Sequence, residues 1–176
     1  MSSSIKMLYD EHEVIAKAID TAMQAGTLIG KDNLTYASTV SQLITFFRNY
    51  ADKYHHFKEE EILFPEMSKK NELLAGGVIQ EMLENHEDFR ERLADIESCV
   101  SDGNFEAAQQ KMEQYTEALL DHIAVENDEV FQAAESLFTE EELEKIRFRF
   151  LDSDRTLGDE QKEQLENLSY NLKRNF

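Results

Sequence analysis

Four of the five histidines and two of the glutamates lie where their side chains can bind a metal together. His55 and Glu59 are four residues apart, and so are His122 and Glu126, which places each pair on one face of a helix. Carboxylate and neutral imidazole are ligands that suit iron, zinc or manganese. We therefore predict a metal site made from six side chains: His12, His55, Glu59, His86, His122 and Glu126.

Apolar residues surround these positions at spacings of three and four, which is typical of the buried face of an amphipathic helix. Leu8 and Ile15 flank His12, and the stripe around His86 has the same pattern. Burying two carboxylates without a counter-charge costs several kcal/mol each, and no Lys or Arg lies on these stripes. Because a cation removes that cost, the pattern favours a metal site over separate hydrogen-bonded core residues.

The fifth histidine, His56, also stands four residues before a glutamate, Glu60. At about 3.6 residues per turn, its stripe contains Asn49 and Asp52 and is therefore polar. We expect His56 and Glu60 to face solvent and to take no part in the site.

Long helices must position the six side chains. Turn signals near residues 26–33, 69–77 and 101–104 separate four helical segments. The predicted helices cover about residues 5–26, 34–65, 78–100 and 105–137. Long helices joined by short turns predict an all-α, up-down-up-down four-helix bundle over residues 1–137. One proline and six glycines in 176 residues agree with that fold class.

Residues 138–176 are predicted to form a C-terminal helical extension packed on or beside the bundle. Thr139 and Glu142 form a capping box that begins a fifth helix. Residues 152–154 (Asp-Ser-Asp) are predicted to break it. A last amphipathic helix from about Asp159 carries three leucines on one side: Leu165, Leu168 and Leu172. The pattern fits a structural appendage and a partner-binding helix equally.

The formal net charge is −19, from 37 acidic and 18 basic residues. A surface this acidic repels a phosphate backbone, so we expect no nucleic acid partner. Cys99 is the only cysteine, so no internal disulfide can form. The N-terminus lacks an apolar core of signal-peptide length, and no segment has the roughly 20 apolar residues that span a bilayer. We expect no membrane association and a cytoplasmic location.

The order His, His-x3-Glu, His, His-x3-Glu on four successive helices resembles the hemerythrin-like (HHE cation-binding) family. Residues 55–65, HHFKEEEILFP, are similar to its His-x-x-x-Glu-Glu-x-x-Leu-Phe-Pro signature, and residues 121–127, DHIAVEN, are a degenerate counterpart. The single histidines in Glu11-His12-Glu13 and Asn85-His86-Glu87 also match. The resemblance covers about residues 5–137 and implies ligands at His55 and Glu59, as the helical phase does.

Oxygen-carrying hemerythrins supply five histidines, two of them four residues apart on the third helix. Here Met82 and Arg90 stand four residues before and after His86. The chain instead resembles the four-histidine, two-glutamate branch, which includes proteins implicated in iron–sulfur repair and in nitric oxide or oxidative stress. That branch implies two metal ions, iron foremost with zinc or manganese as alternatives. Glu59, Glu126 and an oxo or hydroxo group would bridge them, with two histidines on each metal.

The expected function is to bind or react with O2, NO or peroxide, or to handle iron under oxidative or nitrosative stress. The alternative is a non-catalytic metal-binding sensor or structural module that signals through its C-terminal helices. The sequence assigns no catalytic residue and no protein partner, and it leaves open whether the protein is an enzyme.

Overall fold

The computed structural model describes all 176 residues and contains helices and no β-strand. Four helical rods make the bundle. The first is α1 (Ser3–Ala25). The second joins α2 (Asn33–Phe46), the π-helical segments π1 (Phe47–His56) and π2 (Glu59–Leu63), and α3 (Phe64–Lys70). The short α4 (Glu72–Ala75) leads to the third rod, α5 (Val78–Ser101). The fourth joins α6 (Phe105–Val125), π3 (Glu126–Val130) and α7 (Phe131–Leu137).

Side-chain caps begin three of the rods. The Ser2 hydroxyl, the Asp32 carboxylate and the Asn104 amide oxygen each accept a hydrogen bond from a backbone N–H three residues later. Gly30 and Gly103 adopt positive φ angles of 77° and 73° in the turns that precede α2 and α6, a conformation that favours glycine. The predicted all-α bundle with additional C-terminal helices is confirmed.

The apolar core of the bundle is divided into two clusters. On α1, Leu8 belongs to one cluster and Ile15 to the other, and His12 lies between them. On α5, Met82 and Phe89 are divided in the same way by His86, the central residue of that helix's stripe. A buried polar layer therefore crosses the bundle between the two clusters.

Three further helices follow the bundle: α8 (Glu140–Leu157), α9 (Asp159–Glu166) and α10 (Leu168–Leu172). The predicted capping box of Thr139 and Glu142 is present at the start of α8. The predicted break at residues 152–154 is wrong, because α8 continues to Leu157 and ends at Gly158, where φ is 84°. Asp and Ser disfavour a helix interior only mildly, whereas Gly158 supplies the positive φ that ends it.

The C-terminal helices pack against the bundle. Leu172 is buried in the larger apolar cluster, and Leu165 and Leu168 pack against it. The division of the chain into a bundle of residues 1–137 and an extension of residues 138–176 stays a prediction. None of the helices combines the length and the apolar character that a bilayer crossing requires.

Candidate metal centre

Both His-x3-Glu pairs lie where a rod changes from α-helical to π-helical geometry. The N–H of Phe64 donates to the carbonyl of Glu59, five residues earlier, and the N–H of Phe131 donates to the carbonyl of Glu126 in the same way. Such i→i+5 turns are rare and are frequently found at functional sites. Each carboxylate of the predicted site therefore begins a π-helical segment.

The predicted outward orientation of His56 is wrong. His56 is 3% exposed, and its ring stacks on that of His86 with centroids 3.7 Å apart. The physical reason is π1, in which the N–H of Phe57 donates to the carbonyl of Asp52, five residues back. A π-helix has more residues per turn than an α-helix, so the adjacent side chains of His55 and His56 both turn inward.

The structure brings all six predicted residues and His56 into the buried layer between the apolar clusters. They form two groups, and within each group the atoms able to bind a metal lie within 4.8 Å of one another. Site A consists of His12, His55, Glu59 and Glu126, and site B consists of His56, His86 and His122.

Each of the two glutamates faces both sites. Glu126 Oε2 lies 3.2 Å from Nε2 of His12, and Glu126 Oε1 lies 3.2 Å from Nε2 of His122. Glu59 Oε1 lies 3.5 Å from Nε2 of His55, and Glu59 Oε2 lies 3.7 Å from Nε2 of His86. Both carboxylates therefore present one oxygen to site A and the other to site B, as a bridging ligand would.

Six inward-facing polar atoms lack the partners that buried polar atoms normally have, whereas Nε2 of His86 and Nε2 of His122 lie within hydrogen-bond distance of each other, at 3.1 Å. Nε2 of His12 and His55 and both carboxylate oxygens of Glu59 and Glu126 are fully buried and accept or donate no hydrogen bond. Leaving buried polar groups unpaired costs about 1–3 kcal/mol each, and more for charged groups. Neither carboxylate has a Lys or Arg within ion-pair distance. A cation bound among these atoms would satisfy them together, so the residues fit a metal.

The pKa shifts of the buried carboxyl and imidazole groups also fit a bound cation. Burial and the neighbouring charge of Glu126 raise the pKa of Glu59 well above its ordinary value. Burial also opposes ionisation of Glu126, but the imidazoles of His122, His12 and His86 hold its pKa well below its ordinary value. Without a cation, the two carboxyl groups therefore ionise unequally, because the charge of Glu126 disfavours ionisation of Glu59. Burial lowers the pKa of His55 and His56, which keeps both imidazoles neutral and able to bind a metal.

Nδ1 of every imidazole except that of His56 forms a hydrogen bond with a side chain on another element, whereas Nδ1 of His56 faces Asp52 without a hydrogen bond. Such contacts fix the ring orientation of a metal-binding histidine and make its other nitrogen more basic. The pairs are His12–Asn127 at 2.9 Å, His55–Glu11 at 2.9 Å, His86–Glu60 at 2.7 Å, His122–Asn85 at 3.4 Å and His56–Asp52 at 3.6 Å.

Two halves of the site repeat each other. Nδ1 of His12 is hydrogen-bonded to Asn127, the residue after Glu126. In the same way, Nδ1 of His86 is hydrogen-bonded to Glu60, the residue after Glu59. The ring of Phe131 stacks on His12, and the ring of Phe64 stacks on His86. Two further imidazoles repeat each other as well. Nδ1 of His55 contacts Glu11, the residue before His12, and Nδ1 of His122 contacts Asn85, the residue before His86.

The repeat is broken at two positions of the second rod. In the fourth rod, Ile123 stands where the second rod has His56, and Val125 stands where it has Lys58. The first difference gives site B its third imidazole. The second places a lysine, entirely buried, behind site A.

Comparison with known proteins agrees with the helical and polar pattern. The family model described as the hemerythrin HHE cation-binding domain matches residues 3–134, about three quarters of the chain. No curated protein and no solved structure matches.

Proposed function

The chain belongs to the hemerythrin HHE cation-binding domain family, and we propose that its buried layer holds two metal ions, iron foremost, for binding or reacting with O2, NO or peroxide. The proposed ligands are the six predicted from the sequence together with His56. The observation that carries the proposal is the set of buried, partnerless nitrogen and carboxylate oxygen atoms that face one another in the layer. Zinc and manganese suit the same atoms and are the alternatives that metal analysis must test.

The two sites have unequal sets of imidazoles. His56, His86 and His122 belong to site B, whereas site A has only His12 and His55. With both glutamates shared between the sites, site A has one protein ligand fewer. When bound, a di-iron pair would supply redox chemistry, and the smaller protein ligand set of site A would favour binding of a small exogenous ligand there.

Burial restricts what can reach the centre. The five imidazoles and two carboxylates are each at most 3% exposed, so a bulky substrate has no access to them. A diatomic molecule or peroxide is small enough to arrive through side-chain fluctuations. The protein itself contributes five imidazoles, four of them hydrogen-bonded through Nδ1, and an apolar surrounding that excludes bulk water.

His56 changes one inference from the sequence. The sequence argues against a reversible oxygen carrier on two grounds: the third helix lacks a second histidine, and Glu126 follows His122 by four residues where the second carboxylate of oxygen-carrying hemerythrins follows by five. With five imidazoles in the layer, reversible binding of O2 is an outcome that the experiment must distinguish from oxidation or peroxide turnover.

The test is anaerobic loading with Fe(II), followed by elemental analysis and exposure to O2, NO or peroxide. We expect two iron ions per chain and a near-ultraviolet absorption after exposure to O2. Absorption lost on deoxygenation would indicate a carrier, and absorption lost only on reduction would indicate oxidation. Binding of zinc alone, with no spectral response to any of the three molecules, would contradict the proposal.

The matched variants are His55→Ala and Phe57→Ala. His55 is completely buried, whereas the nearby Phe57 is 44% exposed. We expect His55→Ala to lose the metal of site A and Phe57→Ala to keep two ions per chain. Equal metal content in the two variants would remove His55 from the ligand set.

A metal-dependent sensor remains the second candidate, because one observation favours it. Asp154 of α8 forms an ion pair with the buried Lys58 behind site A, so the C-terminal helices have a direct electrostatic connection to the centre.

A further inference from the structure

Lys58 is a completely buried lysine whose charge is matched by two carboxylates. Its ammonium group donates a hydrogen bond to Glu11 Oε1 and lies 2.7 Å from Asp154 Oδ1. It also lies 3.6 Å from the centroid of the Tyr54 ring, a cation–π contact. Lysine is almost never fully buried unless it is paired. These contacts hold Lys58 in a single orientation.

Glu11 connects Lys58 to site A. Its second carboxylate oxygen, Oε2, accepts a hydrogen bond of 2.9 Å from Nδ1 of His55. A continuous series of contacts therefore runs from Asp154 through Lys58 and Glu11 to His55. Asp154 lies in α8, outside residues 3–134 that match the family.

The other half of the site shows why Lys58 is needed. There the residue behind His122 is Asn85, an amide without charge, and Val125 stands at the position equivalent to Lys58. A buried carboxylate requires a counter-charge and a buried amide does not. The lysine therefore accompanies Glu11, and the same ammonium group also contacts Asp154.

The C-terminal helices fix the position of Asp154. Lys162 at the start of α9 lies 3.6 Å from Asp154 Oδ2. The hydroxyl of Tyr50 donates to Glu166 at the end of α9, at 3.1 Å. The first contact links α9 to α8, and the second holds α9 against the second rod, next to the buried ion pair.

We propose that the C-terminal helices position site A: Asp154 holds the Lys58 ammonium, Lys58 holds Glu11, and Glu11 holds the Nδ1 proton and the ring orientation of His55. Asp154 and Lys58 are positioning residues and touch no metal. The inference rests on the proposed function for its effect on metal binding, but the His55–Glu11 hydrogen bond can be measured with or without metal.

The test compares Asp154→Asn with Asp152→Asn in the full chain. Asp152 lies on the same helix and pairs only with Arg155 at the surface. Two quantities are measured: the rate at which a chelator removes zinc, and the ¹H–¹⁵N resonance of each histidine Nδ1–H. We expect the Asp154→Asn protein to lose one of its two zinc ions about tenfold faster than the wild type. Tenfold is the lower end of the range for removing a group that orients a metal ligand. The Nδ1–H resonance of His55 should shift while that of His12 stays in place.

Asp152→Asn should behave as the wild type in both measurements. The inference is overturned if Asp154→Asn matches Asp152→Asn, or if it lowers thermal stability while the His55 resonance and the rate of zinc loss stay unchanged. If Asp154→Asn does not fold, the wild type provides the test. The spectrum of the wild type must then show one lysine ammonium that is protected from solvent exchange and is close in space to the Nδ1–H of His55. The absence of such an ammonium overturns the inference.

The measurements separate this inference from the proposed function. A chain that takes up no metal contradicts the proposed function, whereas the His55 resonance of the metal-free chain still tests the connection to Asp154. A chain that binds two ions with identical behaviour in the two Asp variants contradicts only the connection.

Discussion

At the scale of single residues, Arg90 connects the two carboxylates that stand behind two imidazoles of site B. One guanidinium nitrogen donates to Asp52 and to Glu60, at 2.7 Å in each case. Glu60 in turn accepts from Nδ1 of His86, and Asp52 lies 3.6 Å from Nδ1 of His56. His56 and Arg90 hold the pKa of Asp52 at about 2, against the opposing effect of burial. Arg90 thus keeps both carboxylates ionised behind site B.

Replacing Arg90 by Gln should weaken metal binding at site B. We expect a loss of roughly 10–100-fold in affinity, the range for groups that orient a ligand, measured by competition with a chromophoric chelator. The control is Arg92→Gln, because Arg92 lies on the same helix and pairs with Asp88 at the surface. Equal affinity in both variants would show that Arg90 has no role in site B.

Replacing His56 by Ala should remove one metal ion. As one of only three imidazoles in site B, His56 should matter more than a group behind a ligand, so we expect an affinity loss beyond roughly 100-fold. Elemental analysis after dialysis measures it, with Phe57→Ala as the exposed control. A His56→Ala protein that retains two ions would restore the sequence-based prediction that His56 is no ligand.

The six other candidate ligands could be predicted from the sequence because they interrupt regular apolar stripes, as a single histidine on the first and third helices and as a His-x3-Glu pair on the second and fourth. His56 could not be predicted in this way, since a phase of about 3.6 residues per turn assumes an unbroken α-helix. No local signal in the sequence indicated the inward orientation, because Asp52 and Glu60 form a polar stripe with His56 and Arg90 lies on another helix.

At the scale of elements, the junction between the bundle and α8 depends on a reciprocal cap. The Thr139 hydroxyl accepts from the N–H of Glu142, and the Glu142 carboxylate accepts from the N–H of Thr139. Lys70 of α3 lies 2.6 Å from the same carboxylate. The cap therefore also ties α8 to the second rod.

Replacing Thr139 by Ala should lower the free energy of unfolding by about 1 kcal/mol, the typical effect of losing an N-cap side chain. Urea denaturation measures this change. Ser136→Ala is the control, because the Ser136 hydroxyl is exposed and bonds only within its own helix, to the carbonyl of Gln132. A change of equal size in the two variants would indicate that the cap contributes no specific stability.

The residues at which helices begin and end are set partly by the local sequence and partly by tertiary contacts. The capping box and the turn glycines act within a few residues, so the start of α8 could be predicted. Asp154 was expected to end α8, yet Lys58 and Lys162 match its charge from other parts of the chain. Contacts between the second rod and the C-terminal helices are not visible in a local pattern.

At the scale of the whole molecule, metal binding and folding should be linked. A ligand that binds only the folded state at 100 times its dissociation constant adds about 2.7 kcal/mol of stability. Protons compete with the metal for imidazole, so this added stability is complete at high pH and decreases as pH falls. Burial lowers the pKa of His55 and His56 below their ordinary value of 6.5, which moves the loss to more acidic conditions.

We therefore expect the melting temperature of the metal-loaded protein to exceed that of the metal-free protein at pH 7.5 and still at pH 6.5, which is about the ordinary pKa of histidine. The difference should shrink at lower pH. Differential scanning calorimetry of both forms across this range measures it. A difference that is independent of pH would argue against imidazole ligands.

The central claim is that the buried layer is a two-metal centre with five imidazoles. Anomalous X-ray scattering from crystals of the iron-loaded chain tests it most directly. We predict two peaks, both next to Glu59 and Glu126, one of them beside His12 and His55 and the other beside His56, His86 and His122. A single peak, or two peaks with His56 turned away from both, would contradict the account.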